Sequence, residues 1–153
     1  MDRATAIEAE RERWYELVAL VRGLTAEECL EPGYYSEPAW SVRDLVGHLG
    51  CWLAQAELEL ERIGAGTYKG HDVDIDALNA SFLEAMRGQP WSVAWLQANA
   101  GRTLMLQVWY ELAEPDAEAD WWIHKSGVEH YDEHLARLRA WVGELVARRP
   151  PPA

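Results

Sequence analysis

A chain of 153 residues with 49% apolar content can fold as one domain around a proper core and does not have the composition of a disordered tail. Fourteen Lys and Arg against 26 Asp and Glu leave a net charge of −12. That excludes nucleic acid and anionic membranes as expected partners, because both are bound through clustered cations. No apolar run approaches the roughly 18 residues of a membrane span, and the start, "MDRATAIEAERERW", is charged and helical in pattern, unlike a signal peptide. Cys29 and Cys51, far apart, make no disulfide framework. A soluble, cytoplasmic protein is expected.

In chain order, Ile7, Arg11, Trp14, Leu17 or Val18, and Val21 follow the helical period and stop at Gly23, which predicts the first helix. "LTAEECLEPGYYSEPAW" reads as a connection in which Thr25 and Glu28 can cap one short turn before Pro and Gly break it. Ser41-Val42-Arg43-Asp44 has the capping-box pattern and predicts a second helix to about Ile63. Ile75, Leu78, Phe82 and Met86 mark a shorter helix closed by Gly88 and Pro90. Ser92 is the expected cap of the next, whose inward stripe reads Val93, Leu96, Ala100, Leu104, Val108 and Leu112. "AEPDAEAD" is expected as a turn, and the last helix from near Trp122 to about Ala147. No segment alternates with period two for long enough to be a strand. Long helices joined by short turns predict an all-α fold, an antiparallel four-helix bundle with one extra short helix. It is expected as one domain over residues 1–148 with a disordered tail at 149–153.

"GVEHYDEHLARL" places His130 and His134 four residues apart on the last helix, so their rings lie one above the other with an offset of roughly 40°. Ile123, Gly127, His130, His134, Trp141 and Leu145 fall within roughly 60° of one another, and Asp132, Glu133, Arg139 and Glu144 supply the opposite face. The histidine pair therefore interrupts an apolar stripe. Unpaired ring nitrogens facing a core cost about 1–3 kcal/mol each, and one metal ion satisfies both rings. His48 in "WSVRDLVGHLGCW" is the natural third ligand. It stacks with Trp52 on the flank of its helix, roughly 90° from the apolar centre of Leu45, Leu49, Ala56, Leu60 and Ile63. Alone it would read as a partly exposed residue without a role; beside the pair it completes a three-histidine site.

The remaining candidates carry less. Cys51, three residues after His48, can reach the same crevice, although free cysteines are usually small buried hydrophobes. His71 and His124 read as loop or surface residues. "DVDID" lacks the Gly and Glu of a calcium loop and is rejected as one. Asp44 and Glu59 share the His48 side of their helix, and either can orient its imidazole, though the capping box also uses Asp44. Of nine tryptophans, Trp52, Trp122 and Trp141 are expected nearest the histidines as pocket wall. There is no Gly-rich phosphate loop and no G-x-S-x-G.

"LTAEECLEPGYYSEPAWSVRDLVGHLGCW", followed much later by "HYDEHLARLRAW", resembles the DinB superfamily of four-helix bundles. Within it the pattern is similar to the N-terminal domain of mycothiol-dependent maleylpyruvate isomerase and its stand-alone relatives. The likeness covers nearly the whole chain; its most specific parts are the W-[ST]-V-x-D-x-x-x-H block and the H-x3-H pair. It implies a divalent ion, zinc first and nickel second, on His48, His130 and His134. The isomerase carries a further C-terminal domain where this chain ends, so another reaction than maleylpyruvate isomerisation is expected. Some relatives disarm a reactive natural product made by their producer, and "VDIDALNASF" is similar to that branch.

Two functions follow as expectations. The first is a metal-dependent transferase or isomerase that activates a low-molecular-weight thiol, such as mycothiol, against a small electrophile. Three ligands without an obvious fourth favour it, since catalytic zinc sites keep a position open. The alternative is a binding or self-resistance protein that sequesters or hydrolyses a hydrophobic reactive molecule. Monomer and homodimer are equally compatible with the sequence.

Overall fold

The computed structural model describes residues 2–113 and 116–153. Among the described residues seven α-helices follow one another: α1 (Arg3–Arg22), α2 (Ala26–Leu30), α3 (Val42–Gly64), α4 (Ile75–Met86), α5 (Trp91–Glu111), α6 (Ala117–Ile123) and α7 (His130–Ala147). A π-helical turn, His124–Glu129, joins the last two without a break. The described residues contain no strand, only an isolated bridge between Tyr35 and Trp40. None of their helices is long and apolar enough to cross a membrane.

Local sequence accounts for most helix starts. Thr25 and Glu28 close a capping box on α2, and Ser41 and Asp44 close another on α3, so both ends of each box satisfy a first-turn N–H. Helix α5 departs from expectation: it begins at Trp91, after Pro90, and Ser92 lies inside its first turn without capping it. Proline has no N–H to satisfy and sets its own φ near the helical value, so the helix starts there without a side-chain cap. The final helical stretch also starts earlier than Trp122. Asp116 accepts hydrogen bonds from the Glu118 and Ala119 N–H groups and opens α6 within the expected turn "AEPDAEAD". Glu114 and Pro115 of that turn lie outside the described residues.

The inward stripe of α5 is corrected by one residue. Ala94, Ala98, Gly101, Met105 and Trp109 are buried, whereas Leu96 is 70% and Leu104 47% exposed. Helix α5 makes its largest contact with α3, at a separation that excludes large side chains. A Cβ placed on Gly50 would lie 3.0 Å from Ala98 Cα, and one on Gly101 would lie 3.2 Å from the Gly50 carbonyl oxygen. Small residues let the two backbones touch, and the leucines turn outward. On α1 the inward residue is likewise Glu10, fully buried, instead of its exposed neighbour Arg11. Arg102 holds Glu10 with two 2.7 Å bonds and Tyr131 adds a third at 3.1 Å, so the buried charge is paired.

Contacts along the helices give their directions. Gly50 meets Ala98 and Gly64 meets Leu112, so α3 and α5 run the same way. Glu10 meets Tyr131, Glu16 meets Arg139 and Gly23 meets Arg149, so α1 and α7 also run the same way. Trp14 meets Trp95 and Arg3 reaches the Leu112 carbonyl, which sets α1 against α5. Wholly antiparallel neighbours are therefore not what forms. The segment carrying α4 returns the chain to the start of α3 before α5 begins. At the far end Arg149, in the expected tail, bonds Glu28 and the Gly23 carbonyl, while residues 150–153 are exposed and irregular.

Candidate metal centre

His48 projects from the second turn of α3, and His130 and His134 from the first turns of α7. One ring nitrogen from each lies within 4.8 Å of the other two. The Nε2 atoms of His48 and His130 are 2.9 Å apart, and the ring centres of His48 and His134 are 5.6 Å apart. Around a tetrahedral ion with bonds of 2.0–2.1 Å, ligand nitrogens stand about 3.3 Å apart, so little movement separates this cluster from a coordination shell.

The donor set fits a divalent cation. Burial holds all three imidazoles below their ordinary range, His48 and His134 to about 4, and neighbouring histidines add to the effect on His48 and His130. The rings are therefore neutral at physiological pH, the form that ligates metal. His134 is also oriented. Its Nδ1 lies 2.8 Å from the Tyr34 hydroxyl and 3.2 Å from that of Tyr35, which leaves Nε2 for an ion. When Nε2 gives its lone pair to a metal, Nδ1–H donates to a tyrosine oxygen, the arrangement that fixes a ligating imidazole.

The two tyrosines come from the connection between α2 and α3, whose shape α7 dictates. Arg137 donates to the carbonyls of Gly33 and Tyr34, at 2.8 and 2.6 Å. Gly33 has φ +130°, and a Cβ there would lie 2.6 Å from the Trp141 ring, so only glycine fits. Trp141 is thus a buried support for this loop and not cavity wall. Asp44 and Glu59 do not reach the histidines either. Asp44 bonds Ser41 and Arg43, and buried Glu59 bonds Gln55 and Arg62. The sequence signal that could have found Tyr34 and Tyr35 is the pair of adjacent aromatics in a loop read as a turn, since buried tyrosine hydroxyls need partners.

The cluster opens into a cavity of about 420 Å³. Trp52 and Trp122 line it as expected; so do Trp121 and Asn79, which the sequence did not single out, and His71, which it read as a loop or surface residue. Cys51 does not line it; burial raises its thiol pKa, which leaves it an inert small hydrophobe. His124 is exposed near Glu129, and Asp74 of "DVDID" caps α4. Trp122, Ser126, His130 and His134 form one row of lining residues four apart. In a continuous α-helix each such step drifts by roughly 40°. The wider π-helical turn between Trp122 and His130 offsets that drift and keeps both ends of the row on the cavity.

Comparison with family models, curated proteins and solved structures finds no match to this chain.

Proposed function

We propose that this chain is a DinB-like four-helix bundle that holds one divalent ion, zinc or nickel, on His48, His130 and His134. In this reading it is a thiol-dependent transferase or isomerase acting on a small electrophile. The observation that carries it is three neutral imidazoles converging at the floor of an indole-lined cavity. Among the described residues no fourth protein ligand joins them. That matches sites that keep a position open for a reactant.

A divalent ion there supplies positive charge that eases loss of the proton from an entering thiol or water. The chain's own residues do the rest. Tyr34 and Tyr35 fix the His134 ring, and Trp40 packs on His48 at 5.1 Å. Trp52, Trp121, Trp122, Val73 and Ile75 offer apolar surface to the electrophile and exclude water from it. Asn79 is tied to the Trp52 indole N–H at 2.8 Å, so it offers its amide N–H to a substrate oxygen. Addition of the thiol alone gives a conjugate; addition followed by elimination gives isomerisation.

Metal analysis of untagged protein tests the centre: about one divalent ion per chain is expected, and none in His134→Ala. Turnover of a model electrophile that needs both a thiol and the three histidines supports the chemistry. The mostly aromatic and aliphatic cavity wall also favours a second reading, sequestration of a hydrophobic compound. Tight binding without turnover, unchanged in His130→Ala, would decide for it.

A further inference from the structure

The cavity holds a fourth histidine whose chemistry the metal centre does not use. His71, on the connection between α3 and α4, lines it together with the three clustered histidines. Its Nδ1 lies 2.6 Å from Glu118 Oε2. An ionised carboxylate can only accept, so Nδ1 carries a proton and donates it; in the neutral ring this leaves the Nε2 lone pair free. Glu118 is itself held: it accepts from the Tyr68 hydroxyl at 3.1 Å, and Tyr68 in turn accepts from the Trp122 indole N–H at 2.9 Å. The ring stacks on Trp121, with centres 4.3 Å apart and planes 21° from parallel. Ring plane and partner are thus both set, as in a base oriented by a carboxylate. Lys125, Glu129 and Glu133 are the other charged groups on the same cavity, and Lys125 is paired with Glu129.

We propose that His71 is the proton carrier of the cavity, with Glu118 its positioning residue; thiol addition to an α,β-unsaturated carbonyl compound serves as the test reaction. The proposal rests on the thiol-addition reading above. The thiol S–H proton passes to His71 Nε2 while the sulfur electron pair forms a bond to the β carbon. The alkene π pair moves through the enolate to the α carbon, which takes the proton back from the imidazolium. Thiol and acceptor combine one to one, and nothing is oxidised or reduced. An electrophile of this kind needs a proton delivered to carbon after attack, which a metal centre alone does not provide.

The test uses metal-loaded protein with benzylideneacetone and either mycothiol or glutathione. His71→Gln keeps an amide for Glu118 but has no titratable nitrogen. It is expected to lower kcat by about a hundredfold or more, the scale of general acid–base catalysis, with KM and metal content unchanged. Imidazole added to His71→Ala is expected to restore part of the rate, which a merely structural role would not allow. Nitrogen NMR of the wild-type chain is expected to show the His71 proton on Nδ1. A proton on Nε2 alone, or a lost rate that imidazole does not rescue, overturns the proposal. If His71→Gln keeps full kcat while His134→Ala has none, the thiol reading stands and His71 is not the carrier. If wild-type protein turns over neither thiol with this acceptor, both readings fall together.

Discussion

Helix α3 has two working sides that differ in how closely a neighbour approaches. Toward α5, Gly50, Ala98 and Gly101 bring the backbones together until a single added Cβ would touch. Toward α7, His48 and Trp52 meet His130 and His134, and side chains of that size hold the helices apart along one edge. The first side is a seam with no room for a ligand; the second leaves a cavity. One helix can therefore be rigid scaffold on one face and reactive wall on the other, and the seam is what keeps His48 in place opposite the pair on α7.

The largest effect is expected at the open side. Removing the ion, or replacing His130 by Ala, should remove stabilisation of about 3–4 kcal/mol for protein saturated 100–1,000-fold above its Kd. For a chain of this size that lowers Tm by about 10 °C. In metal-free protein the same substitution should cost far less, because it deletes a polar ring that no ion satisfies. A melting temperature that ignores chelation in the wild type would break the comparison on this side.

On the closed side, Ala98→Leu forces a branched side chain against Gly50 and should cost about 1–3 kcal/mol by overpacking, without changing the metal stoichiometry of what remains folded. Denaturant unfolding checks it, and an unchanged midpoint would mean that the seam is looser than it looks. Tyr34→Phe comes next. It removes the 2.8 Å partner of His134 Nδ1 while Tyr35 remains. Metal affinity is expected to fall about tenfold, the lower end for partners that orient a ligand, as read by competition with a chromogenic chelator.

Acidification probes the same burial in metal-free protein. His48 and His134 are held at about 4 in the native state, against about 6.5 for unfolded histidine. Between those values the unfolded chain binds more protons, so stability falls as pH drops from 6.5 toward 4. A metal-free Tm that stays flat over that window, or rises, would contradict it. The smallest effect is expected on the outer face of α5. Leu96 is mostly exposed, and Leu96→Gln should stay within about 0.5 kcal/mol of wild type. A loss of several kcal/mol would restore it to the core.

The sequence by itself determined the all-helical class, most helix boundaries and the two capping boxes, because these depend on contacts within a few residues. It also pointed to the three clustered histidines. His130 and His134 are four apart on one helix, and their position on an apolar stripe is visible from spacing alone. Only the tertiary structure decided which face of α5 turns inward. Apolar periodicity favoured the leucines, but the close approach of α3 rewards Ala98 and Gly101, a property of two backbones that no single helix carries. Tyr34, Tyr35 and His71 were hidden for a related reason. Their roles come from partners on distant helices, Arg137 holding the tyrosine loop and Glu118 setting the imidazole, and loop residues have no periodicity from which such a pairing can be read. The parallel course of α3 and α5 was likewise settled by where Gly50 and Gly64 find room beside their neighbours, since helical patterning is the same in either direction.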